Sequence, residues 1–173
     1  MLYKKNLSER DICTKFITPA LEKSGWSKLE KIIAGLNKYT IKGQFKFSPD
    51  DVLSQVCNIP VKRDYSGIYL FYEMDNRELI YIGMSGRNTD TGEIIHRKDG
   101  LRGRFLTGKQ FDSRRSKSLP IQMRIEHISG LEIYWFVTYG DDSKDIPKPI
   151  EKLLIKTFKN ENENKWPRWN KMD

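Results

Sequence analysis

Two runs of aromatic and β-branched residues, separated by a short polar break, constrain this chain more than any other feature of it. Gly67-Ile68-Tyr69-Leu70-Phe71-Tyr72 leads into Asp75-Asn76-Arg77, and a second run extends from Glu78 to Met84. Side chains of this kind favour extended backbone, and two such runs around a turn-like segment predict a β-hairpin. Downstream the pattern predicts a polar, glycine-containing connection over residues 85–100 and a short helix near 101–106. A basic loop, a strand around 122–127 and a stronger strand at 131–139 are expected next. Pro147 and Pro149 precede Ile150, Leu153, Leu154 and Phe158 at helical spacing, so the last long helix is expected to begin close to Ile150.

The first sixty residues read as helical and carry no evident chemistry. Ile12, Phe16, Ile17, Ala20 and Leu21 give an amphipathic helix over residues 8–23, with Pro19 inside it and Gly25 after it. Ser27 followed by Glu30 makes a capping box ahead of Leu29, Ile32, Ile33 and Leu36. Ser48, Pro49 and Asp51 open a third helix, with Leu53 and Val56 on its buried side, which Asn58-Ile59-Pro60 ends. Residues 1–62 are therefore expected to form a helical N-terminal extension, for DNA binding or dimerisation, ahead of a catalytic domain over 63–173.

A chain of 173 residues with 38% hydrophobic and 31% charged residues suits one folded domain with such an extension. No apolar run approaches the roughly 20 residues that span a bilayer, and residues 1–10 lack the apolar core of a secretion signal, so the expected location is the cytoplasm, away from membranes. Cys13 and Cys57 are too few for a disulfide framework or a zinc site and read as core thiols. His96 and His127 are too sparse for a histidine cluster, so any metal must have oxygen ligands, as magnesium does.

The net charge of +8 is concentrated. Residues 97–124 hold nine basic side chains (Arg97, Lys98, Arg102, Arg104, Lys109, Arg114, Arg115, Lys117 and Arg124) against Asp99 and Asp112, leaving 22 basic and 21 acidic residues elsewhere. Such a cluster is either a solvated basic loop or a surface for a polyanion, where phosphate neutralisation releases counterions.

Gly67-Ile68-Tyr69 and Tyr81-Ile82-Gly83, with eleven residues between the tyrosines, resemble both halves of the motif that names the GIY-YIG nucleases. The likeness extends from about Tyr65 to Asn170 and takes in the arginine helix and the proline-led glutamate helix. It implies an α+β fold with a small three-stranded antiparallel sheet flanked by helices. It also implies metal-dependent hydrolysis of phosphodiester bonds in double-stranded DNA. The end of the chain three residues after Asn170 is similar to the compact type II restriction endonucleases of the family, which implies a homodimer and a cognate DNA methyltransferase as genetic partner.

The resemblance assigns roles by register. Taken singly, Tyr69 and Tyr81 are also ordinary sheet aromatics. In the family the first tyrosine serves the water nucleophile and the second positions the phosphate. A free tyrosine hydroxyl ionises near about 10, so a tyrosine base requires a neighbouring cation, and such a site must be electropositive. Leu101-Arg102-Gly103-Arg104-Phe105 places Arg104 in the catalytic register, where its guanidinium would hold phosphate oxygens, and leaves Arg102 to backbone contact or solvent. Relatives carry His or Tyr one turn later, where this chain has Gly108, so Lys109 or His96 is left as the second proton-transfer group. Glu151, in the first turn of the expected last helix, matches the family's metal ligand for magnesium, with manganese as a substitute; an acid there otherwise complements the helix dipole. Asn170, in Trp166-Pro167-Arg168-Trp169-Asn170, matches the late asparagine that supports the site. Arg97, Lys98, Arg102, Lys109, Arg114, Arg115, Lys117 and Arg124 are the expected DNA contacts. Two other readings stay open: a mobile-element or repair nuclease that nicks branched or damaged DNA, and a noncatalytic DNA-binding module.

Overall fold

A computed structural model describes residues 27–89 and 92–170. The chain divides into two compact units, Met1–Lys38 and Tyr39–Asp173. In the first, helix α1 (Lys28–Gly35) runs into a 3-10 turn at Leu36–Lys38. The capping box forms as read: the Glu30 amide donates to Ser27 Oγ at 3.1 Å, and the Ser27 amide donates to the Glu30 carboxylate at 2.7 Å. The helix expected over residues 8–23 lies outside the described residues.

The second unit is α+β, and its main sheet has four antiparallel strands, not three. They are β1 (Lys42–Phe47), β2 (Ser66–Glu73), β3 (Leu79–Ser85) and β4 (Leu131–Tyr139), in the spatial order β1-β4-β2-β3. The additional strand is β1, from the stretch expected to be helical. Phe45 and Phe47 alternate inward while Lys42, Gln44 and Lys46 face solvent, the period-2 pattern of an edge strand. Its partner is β4, with Phe45 opposite Ile133. The third expected helix shrinks to one turn, α2 (Leu53–Val56), because Asp51 closes a tight turn on the Ser48 amide at 2.6 Å and Cys57 already has extended backbone.

The predicted hairpin is present, with Tyr69 opposite Gly83 and Phe71 opposite Tyr81 ahead of a bulge at Phe71/Tyr72. Strand alternation puts Tyr69, Phe71 and Tyr81 on one face with Ile133 and Trp135 of β4. Helices α3 (Gly100–Thr107) and α4 (Arg115–Ile125) supply Leu101, Phe105, Leu119 and Met123, all fully buried in that face's apolar cluster. Ile68, Leu70 and Ile82 fall on the opposite face, where α5 (Pro147–Glu161) packs against β3 and β2. No described helix is long and apolar enough to cross a membrane.

Two further expectations are corrected. Residues 115–125 are helix, where a basic loop and a strand around 122–127 were expected. Ile121, Met123 and Ile125 imitate a strand's alternation, yet Ile121 and Ile125 are exposed, and Arg115, Leu119 and Met123 form the buried side at helical intervals. Helix α5 begins at Pro147, not Ile150, with prolines in its first turn as their fixed φ permits. Glu151 therefore lies beyond the first turn, and that turn holds no acid to complement the dipole. The 85–100 connection carries a two-stranded ribbon, Arg87–Asn88 with Ile94–Ile95.

Candidate active site

Adjacent strands bring Tyr69 and Tyr81 side by side, with ring centroids 6.0 Å apart and planes inclined by 27°. Phe105 of α3 packs edge-on against Tyr69 at 5.4 Å, and Phe71 lies 5.0 Å from Tyr81. The glycine of the second tripeptide makes this possible. A Cβ on Gly83 would meet Tyr69 Cε2 at 2.5 Å and Tyr81 Cε1 at 2.6 Å, inside any tolerable contact.

The centre of the site is a residue that the sequence placed on the surface. Arg115 is 1% exposed. Its guanidinium carbon lies 5.0 Å from the Tyr69 ring centroid and 5.3 Å from that of Tyr81. Nη2 donates to the Tyr81 hydroxyl at 2.9 Å, Nε donates to Gln110 Oε1 at 3.0 Å, and Nη1 donates to the Arg104 and Phe105 carbonyls at 3.3 Å each. Burial works against this cation, yet the Tyr69 and Tyr81 hydroxyls that face it hold its ionisation above the usual arginine value. A buried guanidinium that donates four hydrogen bonds is the kind of cation that remains charged in a low-dielectric site. Arg115 was expected to contact DNA from a loop. It instead opens α4 directly after a ribbon of Lys109–Gln110 with Ser113–Arg114, whose connecting residues Phe111 and Asp112 have φ of 52° and 62°. Its spacing of four and eight from Leu119 and Met123 was the available signal.

Tyr81 keeps its proton. Burial first, then the neighbouring Tyr69, raises its hydroxyl well above the ordinary tyrosine range, and Glu151 adds to this while Arg115 and Arg104 oppose it. The same field relates the remaining members. Arg97 is pushed below the usual arginine range by burial, then by Arg87 and Arg104, with Tyr69 opposing, and its Nε is buried with no hydrogen-bond partner. Tyr69, Tyr81 and Arg115 are in contact, the charges of Arg104 and Glu151 act on Tyr81, and those of Arg87 and Arg104 act on Arg97. Arg87 was not among the expected contacts, because it stands outside the 97–124 charge cluster.

Asn170 closes the outer edge of β3. Its Oδ1 accepts from the Ile82 amide at 2.9 Å and its Nδ2 donates to the Ile82 carbonyl at 2.8 Å, between Tyr81 and Gly83. The Trp169 amide bonds the Ile80 carbonyl at 2.8 Å. Residues 169–170 thereby cover the edge of β3 with one backbone bond and two side-chain bonds, fixing the backbone that carries Tyr81.

Other expected contacts divide. Arg102 donates to the carbonyls of Cys57, Ile59 and Ser54, the last two at 2.9 Å, tying α3 to the end of α2. Arg124 reaches Asp50 at 2.8 Å and the Pro49 carbonyl at 2.9 Å. Lys98, Lys109, Arg114 and Lys117 are exposed. His96 Nδ1 lies 3.0 Å from Ser66 Oγ, and its ring is 5.6 Å from that of Tyr139. No group of three or more His, Cys, Asp or Glu converges among the described residues. Set against protein-family models, curated proteins and solved structures, the chain matches none significantly.

Proposed function

We propose that this chain is a metal-dependent endonuclease of the GIY-YIG kind that its motifs resemble, hydrolysing phosphodiester bonds in double-stranded DNA as a sequence-specific restriction enzyme. The observation that carries the proposal is the pairing of Tyr69 and Tyr81 across one buried guanidinium, with Arg104 and Glu151 in the same electrostatic neighbourhood. A noncatalytic binding module needs cations for phosphates but has no use for two tyrosines held against a buried arginine.

The residues divide the work as the reaction requires. The Tyr81 hydroxyl accepts a hydrogen bond from Arg115 and retains its own proton, so it is a donor to a phosphate oxygen and not a base. Tyr69, on the neighbouring strand, serves the water that attacks phosphorus. Arg104 supplies a guanidinium to charge that grows on the phosphoryl oxygens in the transition state. Arg115 holds both tyrosines in place and keeps the site electropositive. A single carboxylate, Glu151, fits an ion that binds through one or two carboxylates and keeps several waters, magnesium or its substitute manganese. When bound, that ion supplies Lewis-acid stabilisation of a nonbridging phosphate oxygen.

One such site cuts one strand, so cleavage of both strands of a palindrome calls for a twofold homodimer. A DNA methyltransferase gene is the expected neighbour. The deciding experiment is digestion of unmethylated phage DNA with magnesium, by the wild-type protein and by Glu151→Gln. Discrete, reproducible fragments from the wild type, and DNA binding without cleavage from Glu151→Gln, are the expected results. Preferential nicking of branched DNA would move the protein to repair. Full activity of Glu151→Gln would remove the metal assignment.

A further inference from the structure

The concentration of charge over residues 97–124 draws attention away from the last helix. Helix α5 carries Lys148, Lys152, Lys156 and Lys159 at intervals of four, four and three, which places them along one side of the helix. All four line an open groove of about 420 Å³ between α5 and the segment that follows it. Glu151 lines the same groove and is its one acidic member. On the nuclease reading it is also the metal ligand, so the groove borders the proposed metal site. In the segment after α5, Trp166 is half-buried with the Lys159 ammonium 4.6 Å from its ring centroid, a cation-π contact that holds the last lysine over the groove.

We propose that this groove is a second track for the DNA backbone, carrying the phosphates that flank the bond being cut; the inference rests on the nuclease reading above. The eleven helical steps from Lys148 to Lys159 span about 16 Å, the axial rise of about five base pairs. A row of that length engages several consecutive phosphates, where an isolated surface lysine engages none in particular. Lysine ammonium groups are point charges on flexible stems, suited to phosphate oxygens and not to bidentate reading of base edges. The track therefore contributes affinity without sequence preference. An acidic protein is the competing occupant; Glu151, the metal ligand on the nuclease reading, lines the same groove and would repel an acidic protein, whereas a metal held there draws a phosphodiester chain to it.

Binding of a mixed-sequence duplex in EDTA, measured across a salt series, tests the track without cleavage. Lys152→Ala/Lys156→Ala is compared with wild type and with a control of equal charge loss at exposed positions elsewhere, Lys46→Ala/Arg63→Ala. The expected result is a fall of about two in the slope of log K against log salt for the α5 pair, roughly one per lost phosphate contact, with an unchanged slope for the control. If wild type binds with strong salt dependence and the α5 pair keeps its slope, the track is overturned and the nuclease reading stands. Equal losses in both pairs also overturn it, since net charge alone would then account for the effect. A wild-type protein that does not bind the duplex overturns the nuclease reading and the track with it.

Discussion

Three arginines within fifteen residues do three different jobs, and partners distinguish them where residue type cannot. Arg102 spends its guanidinium on backbone carbonyls of Ser54, Cys57 and Ile59. Arg115 spends its own on Tyr81, Gln110 and two carbonyls, in full burial. Arg104, whose charge acts on Tyr81, is the one proposed to be catalytic, from its register in the resembled motif. Arg104→Lys keeps the charge and loses the fork, so single-turnover cleavage is expected to slow by roughly a hundredfold to a thousandfold with DNA affinity nearly unchanged. Arg102→Lys is expected to cleave at close to the wild-type single-turnover rate but to be less stable by about 1–3 kcal/mol, since an ammonium cannot reach all three carbonyls. For a chain of this size that is a fall of roughly 2–4 °C in melting temperature per kcal/mol. A slow but fully stable Arg102→Lys would reverse the two assignments. Arg115→Ala strands the Tyr81 hydroxyl and Gln110 Oε1 and opens a cavity, for an expected loss of roughly 3–5 kcal/mol by denaturant unfolding.

Strand β3 does its work only because both of its sides are held. Its inner side pairs with β2 to bring the tyrosines together, and its outer side is met by Trp169 and Asn170 in place of another strand. The Asn170 amide bonds both backbone groups of Ile82, so Asn170→Ala leaves a donor and an acceptor without a protein partner. Amide hydrogen exchange at Ile82 is expected to speed up by at least tenfold in that variant, and cleavage to fall because the backbone carrying Tyr81 loosens. Unchanged exchange at Ile82 would show that the edge holds without the asparagine. Gly83→Ala attacks the same element from within. The new Cβ forces Tyr69 and Tyr81 apart, at an overpacking cost of about 1–3 kcal/mol, and activity should fall further than stability does, as comparison of single-turnover rate with melting temperature will reveal.

At the scale of the molecule, the division between Met1–Lys38 and Tyr39–Asp173 places the sheet, the tyrosine pair, Glu151 and the α5 groove in one unit. Such a unit contains its own apolar core, from Phe45 and Phe47 through Phe105 and Met123 to Trp169, and a core of its own is what independent folding requires. A chain beginning at Tyr39 is accordingly expected to unfold cooperatively on heating, with far-ultraviolet circular dichroism and tryptophan fluorescence changing together. A non-cooperative melt would mean that residues 1–38 complete the core.

The hairpin, the capping box at Ser27, the full length of β4 and the short arginine helix were legible in the sequence because each is decided by neighbours a few residues away, through a turn, a cap or a period of two or 3.6. The tyrosines, Arg104, Glu151 and Asn170 were singled out by register against a known motif, and their roles are those of the proposal. What the residues could not disclose depended on which distant segments meet. β1 has too few apolar residues to announce itself and is a strand because β4, far along the chain, offers it an edge. Ile121, Met123 and Ile125 alternate like a strand, and only packing against the sheet selects the helix that buries Arg115. Charge behaved in the same way: its density in sequence pointed to residues 97–124, whereas folding withdrew Arg102 and Arg115 into internal bonds and aligned the lysines of α5 along a groove. Local periodicity sets the elements, but burial and polar satisfaction are properties of pairs of elements, and those pairs exist only once the chain has folded.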